Sequence, residues 1–263
     1  MLYIYYIKKN YNVNSFYKKV NNNYGDYMQD KEIFSLSLDI GKEIIRSGGE
    51  ISRAKDTIIR INKAYGNSCE VFALPSVIIA QSGEYIQIRH IDNEDTDLAE
   101  LARLNALSRR LCKSDNEEIH VTKKTIYHKA ESIIAICTAT GSFCIFFGGS
   151  IIDALFAAFI GIVITYCHIE KLNLPSFSVN LISAFISSLL ANIPTVIGLS
   201  VNPDKIIIGT IMLLVPGLTV VNSIRDMMKG DLIAGLFELF NAIMSALAIA
   251  LGVAGGIFIT KWI

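Results

Sequence analysis

Two carboxylates lie inside apolar runs, where an ionisable side chain is least expected. Glu238 sits about two turns into the stretch 232–259, on one helical stripe with Asn241, Ser245, Ala248 and Gly252. A charge at that depth is costly unless it faces protein or water. Glu238 is therefore a contact for a solute or proton along a pathway, or else glue between helices. Asp153 lies one turn into the stretch 150–169, with Ala157, Gly161 and Thr165 on its face. There the alternatives are the same pathway or a position among lipid headgroups. Pro216-Gly217 falls midway along the stretch 206–221. Proline removes a backbone donor and clashes with the preceding turn, so the helix should kink or break. A broken helix at membrane depth lines a cavity or is buried in protein. Its freed carbonyls could bind a polar solute, or the kink could be passive. Asn180, Ser183, Ser187 and Asn192 read as interhelical packing.

Arg225 stands in the polar stretch from Asn222 to Asp231. It could hold a carboxylate, but the plainer expectation is a positive-inside residue paired with Asp226. In the polar half of the chain, Gly48 and Gly49 precede a helix carrying Glu50, Arg53 and Asp56. That arrangement could place an anion at a helix N-terminus, or it is a helix–turn–helix with a solvated charged face. His90, His120 and His128 have no partner at metal or triad spacing, and no GxSxG, HExxH or Walker sequence occurs. No metal, cofactor or catalytic residue is expected, and the chain is not read as an enzyme.

These residues need elements to position them. Ile33, Leu36, Ile40 and Ile44 follow helical spacing up to the Ser47-Gly48-Gly49 stop, and a second helix spans about 50–64, closed by Gly66. The β-prone runs 70–81 and 85–91, separated by Ser82-Gly83, read as a hairpin. A periodic helix follows over 95–112, then a polar helix over about 117–131. Five apolar segments come next, at about 132–148, 150–169, 178–199, 206–221 and 232–259. Each approaches the roughly 20 residues that span a bilayer, and none shows the polar face of a soluble bundle helix. The expected fold is an α+β cytoplasmic domain, residues 31–131, followed by an all-α polytopic membrane domain of five transmembrane helices, residues 132–263. Residues 1–30, rich in Asn, Tyr and Lys, read as a disordered tail, and translation could instead start at Met28.

Charge follows the same division. The chain is neutral, with 24 basic and 24 acidic residues among 263, but residues 132–263 hold only 5 and 6 of them. The balance excludes a basic nucleic-acid binder. Lys123, Lys124, Lys129, Lys171, Arg225 and Lys229 fall on one side of the five segments, and Lys205 and Lys261 on the other. The excess places the N-terminus inside and the C-terminus outside a cell inner or plasma membrane. Cys69, Cys112, Cys137, Cys144 and Cys167 show no metal spacing and read as unpaired thiols.

Three stretches carry a resemblance. The first is Ser47-Gly48-Gly49-Glu50-Ile51-Ser52-Arg53-Ala54-Lys55-Asp56, followed by Ala64-Tyr65-Gly66. The second is Val71-Phe72-Ala73-Leu74-Pro75-Ser76. The third runs from Leu214 through Pro216-Gly217 and Asn222-Ser223-Ile224-Arg225-Asp226 to Gly230-Asp231 and Gly235. Together they resemble the N-terminal component of the threonine/serine exporter family over about residues 31–260. The family helix usually reads Arg-Val-Glu-Asp, so Lys55 reverses a charge here.

The resemblance implies a cytoplasmic domain and five transmembrane helices. It implies export of small polar metabolites, threonine and serine in some members and dicarboxylates such as succinate in others. It also implies the larger half of a split transporter, whose partner is a small integral-membrane subunit of about four spans, as a homo- or hetero-oligomer in the lipid bilayer. Two other classes remain open at this point: a membrane-anchored enzyme with its site around Glu50, Arg53 and Asp56, and a non-transporting sensor or scaffold subunit.

Overall fold

The computed structural model describes residues 30–91, 96–112, 129–166, 174–260 and 262. The expected tail over 1–30, apart from Asp30, lies outside the described residues, as do Cys167 and nearly all of the expected polar helix over 117–131. The described residues are mostly helical with one small sheet. The chain divides into two compact units. One holds described residues up to 112 together with Leu218–Leu239. The other holds those from 129 to Gly217 together with Phe240–Ile263.

In the first unit, α1 (Asp30–Arg46) and α2 (Ile51–Ala64) are amphipathic. Their buried faces, including Phe34, Leu38, Ile40, Ile44, Ile51, Ile58 and Ile61, form the core with Leu104, Leu107 and Leu111 of α3 (Leu98–Leu111). Asp97 caps α3, its carboxylate accepting from Glu100 N at 2.9 Å.

The sheet departs from the expected hairpin. It has three antiparallel strands, β1 (Glu70–Leu74), β2 (Val77–Ser82) and β3 (Tyr85–His90), in the order β1-β2-β3. The run expected as one strand over 70–81 folds back at Pro75-Ser76, pairing Leu74 with Val77. Proline, with no N–H and a fixed φ, suits a tight turn better than a strand interior.

In the second unit, α4 (Lys129–Phe146), α5 (Ile151–Tyr166), α6 (Ser176–Val196) and α7 (Pro203–Ile211) pack around Cys144, Ala154, Ala157, Ile160, Ala191, Ile206 and Ile207. Small residues set the spacing. A Cβ on Gly161 would lie 2.7 Å from Thr140 Cγ2, and one on Gly209 would lie 2.8 Å from Thr140 O. Hydroxyls return to their own helix: Thr140 donates to Ile136 O at 2.9 Å and Thr165 to Gly161 O at 2.8 Å.

Among the described residues, two helices are long and apolar enough to cross a membrane: α6, over Ser176–Thr195, and α9 (Leu232–Thr260), with 29 residues. Helices α4 and α5 are apolar but shorter. The fourth expected segment, 206–221, is not one helix. It is interrupted between Ile211 at the end of α7 and Gly217, which opens α8 (Gly217–Met228). The interruption falls where proline withdraws a donor, at Pro216.

Candidate functional site

The start of α2 is shaped by two glycines. Gly48 has φ of 75° and lets α1 close, its N–H donating to Ile45 O at 2.9 Å. Gly49 lies so near α1 that a Cβ there would come within 2.8 Å of Ile44 O and of Leu101 Cδ1. The chain then turns into α2 with its first amides in need of acceptors. Glu50, at the cap position, makes no side-chain cap bond.

The acceptor comes from far along the chain. Asp226 on α8, fully buried, takes Ile51 N on Oδ2 and Ser52 N on Oδ1, each at 3.0 Å. A carboxylate at a helix N-terminus meets both the free amides and the positive end of the helix dipole. The anion expected at this terminus is therefore one of the chain's own side chains.

Glu50, released from capping, faces α8 instead. Its carboxylate pairs with Arg225 and accepts from Lys229 Nζ at 2.7 Å, and Lys229 also donates to Ser52 Oγ at 3.1 Å. Burial pushes the Glu50 carboxyl up, but the bonds from Lys229 and Arg225 outweigh it and hold the carboxyl below its ordinary range. Asn222 Nδ2 donates to Gly48 O at 3.0 Å. Lys55, one turn further along α2, pairs with Asp231. Two carboxylates thus meet three cations while Asp226 takes the amides, so the charges balance and the clasp carries no surplus positive charge for a substrate carboxylate.

The pairing of Arg225 differs from the expected one. On a helix, adjacent residues point in different directions, so Arg225 and Asp226 reach different parts of α2 rather than each other. Arg53 is half-buried and Asp56 exposed, and neither joins the clasp. Lys229, Asn222, Ser52 and Asp231 do join it without having been candidates. Their signal was present as spacing: Asn222, Ser223 and Asp226 make one polar face on α8.

The remaining candidates lie elsewhere. Asp153 is buried in a capping box: it accepts from Ser150 N and Ser150 Oγ, both at 2.8 Å, and its own N–H donates to Ser150 Oγ at 3.2 Å. Its second oxygen accepts from Asn202 N at 2.8 Å, tying the start of α5 to the residue before α7. These bonds fix two helix entries. Glu238 is buried on α9, its side of the helix shared with buried Ala234 and Ala242, whereas Asn241 is exposed. Pro216 is half-buried and Gly217 exposed at the interruption. Ser187 and Thr210 share a buried hydroxyl–hydroxyl bond between α6 and α7. Among the described residues, no group of three or more His, Cys, Asp or Glu could hold a metal ion, and Cys69, Cys112, Cys137 and Cys144 are free thiols.

Comparison with known proteins adds an identity at the family level. The chain belongs to the ThrE family of threonine/serine exporters, whose model matches residues 35–260. A threonine/serine exporter of Corynebacterium glutamicum is 24% identical over 263 residues, covering 90% of this chain and 53% of the relative. The chain thus spans about half the length of that curated relative. No solved structure matches it.

Proposed function

We propose that this chain is one part of a secondary exporter for small polar metabolites that carry a carboxylate. Threonine and serine lead the substrate list, because the family and the Corynebacterium glutamicum relative carry those names. Dicarboxylates such as succinate are the wider chemical class. The part of the first unit up to residue 112 faces the cytoplasm. The apolar segments form five membrane passages with the N-terminus inside and the C-terminus outside, the fourth passage being α7 and the chain that runs on from it to the interruption at Pro216-Gly217. A small integral-membrane subunit of about four spans completes the transporter. No nucleotide-binding motif occurs in the sequence, so ion or proton coupling drives efflux.

The observation that carries this function is α9. It is 29 residues long, apolar, and holds a single ionisable side chain, the buried Glu238. Buried carboxylates in membrane helices mark ion and proton routes. Glu238 is the proposed coupling residue, and the interruption at Pro216-Gly217 the proposed place where freed backbone groups meet the solute. Arg225 and Asp226 serve the clasp instead, and Asp153 serves its helix caps. The membrane-anchored enzyme is the weaker alternative, since the terminus of α2 that would hold a reacting anion is filled by Asp226.

Reconstitution decides it. Vesicles holding this chain and the small subunit, loaded with labelled threonine, serine or succinate, should release solute in response to a pH gradient. Glu238→Gln should insert normally and lose that pH-driven efflux. Unchanged pH-dependent export by the variant would remove Glu238 from the mechanism, and no transport of any tested solute would sink the exporter itself.

A further inference from the structure

Helix α8 is turned inside out for a helix in water. Its fully buried residues, Ser223 and Asp226, are polar, and Asn222 beside them bonds Gly48 O. Its exposed face carries Leu218, Val221, Ile224 and Met228, at helical spacing, with Met228 83% exposed. A surface helix facing water shows the opposite pattern, so the outer face of α8 meets an apolar medium.

We propose that α8 lies along the bilayer surface, with Leu218, Val221, Ile224 and Met228 in the acyl boundary and its polar face serving as the mount for α2. Three observations choose lipid as the occupant. Beyond the Lys229-Gly230-Asp231 turn, the first turns of α9 also expose Leu232, Ile233, Leu236 and Phe237, and α9 is the longest apolar helix among the described residues. Arg225 and Lys229 pair with Glu50 yet leave their side chains 50% and 42% exposed. Their reach matches anionic headgroups, since long cationic side chains keep their stems on apolar surface and their heads in a polar layer. Finally, α8 and the turn after it are engaged by Gly48, Glu50 and α2 along residues 222–231. A helix held by polar contacts along that length cannot stand upright in hydrocarbon. It lies flat, as interfacial helices do, its apolar face about 5–10 Å below the headgroups.

The proposal deepens the membrane function above and rests on it, so the test reads the two separately. The full chain, with its native cysteines replaced by alanine, is spin-labelled singly at Leu218→Cys, Val221→Cys, Ile224→Cys and Met228→Cys, and placed in phosphatidylcholine–phosphatidylglycerol vesicles. Accessibility to oxygen, which partitions into lipid, is compared with accessibility to a water-soluble nickel chelate. All four labels should favour oxygen several-fold over a label at Asp56→Cys, and at closely similar depths. Labels at Ile243→Cys, Leu247→Cys and Leu251→Cys on α9 report membrane insertion independently, and their failure would overturn the membrane function rather than the placement of α8.

With those reference labels in lipid, three results overturn the proposal. One is preference for the nickel chelate on α8. Another is depth changing along α8 by about 1.5 Å per residue, which marks an upright helix. The third is low access to both reagents, which marks a protein cover such as a second copy of the chain. Should a cysteine variant fail to assemble, Met228→Trp in a Trp262→Phe background gives the same answer through quenching by brominated lipids.

Discussion

Two junctions in the molecule join a helix from late in the chain to one from much earlier, and they use opposite chemistry. Where α8 meets α2, five charged side chains are paired, and a sixth, the buried Asp226 carboxylate, takes two main-chain amides. Where α9 meets α6, there is no charge. A Cβ on Gly252 would run into Leu181 O and lie 2.9 Å from Ala184 Cβ, while one on Gly256 would lie 2.7 Å from Ser188 Cβ. The polar bond across that junction is modest, Ser188 Oγ donating to Val253 O at 3.1 Å. The contrast follows the solvent. Between membrane helices, burial of apolar surface gives no advantage over lipid, so close backbone approach supplies the attraction and glycine permits it. At a junction that water can reach, ion pairs and helix caps are affordable, and they also fix register.

The sharpest way to break this contrast is Gly252→Leu. The added side chain meets backbone, not a flexible tip, and overpacking of that kind costs about 3 kcal/mol. Loss of α6–α9 packing, read as a fall in thermal stability in detergent that added salt does not alter, is the expected outcome. A tolerated leucine would mean the close approach is not what holds the junction.

Asp226→Ala tests the other side. It strips the α2 amides of their acceptor, an N-cap loss of about 2 kcal/mol. Hydrogen exchange should show Ile51 and Ser52 amides losing protection while α6 and α9 stay unchanged. Equal deprotection in both junctions would dissolve the distinction.

The smallest effect sharpens it through pH. The Glu50 carboxyl is held below its ordinary value of 4.5, so its contribution is fully present above that value and drains away as pH falls below it. Acid titration of the full chain should loosen α8 from α2 below about pH 4.5, an effect that Glu50→Gln abolishes.

Much of the first unit was legible from residue order. The helical spacing of Ile33, Leu36, Ile40 and Ile44 and the glycine stop after them set α1, and the leucines after Asp97 set α3. The strand break at Pro75-Ser76 was hidden because apolar residues continue on both sides of the turn, so hydropathy sees one run. The interruption of the fourth apolar segment was legible from Pro216, because its cause is local.

The clasp was not legible, for a different reason. Its partners stand 174 to 179 positions apart, and Arg225, Asp226 and Lys229 look in one dimension like an ordinary charged loop. Even so, the polar 222–223–226 face opposite the apolar 218–221–224–228 face was written there. The sequence reading divided that helix between an apolar segment ending at 221 and a polar stretch from Asn222 to Asp231, so neither the helix nor its role as a cap was seen.

The separation has a consequence in time. Asp226 follows Ile51 by 175 positions, and ribosomes add about 5–20 residues per second. For roughly 9–35 s of each synthesis, α2 must stand with its first amides answered by water alone. The cap of α2 is thus added only after the apolar helices between the two pieces of the first unit have been made, and a chain stalled in that interval presents an uncapped helix.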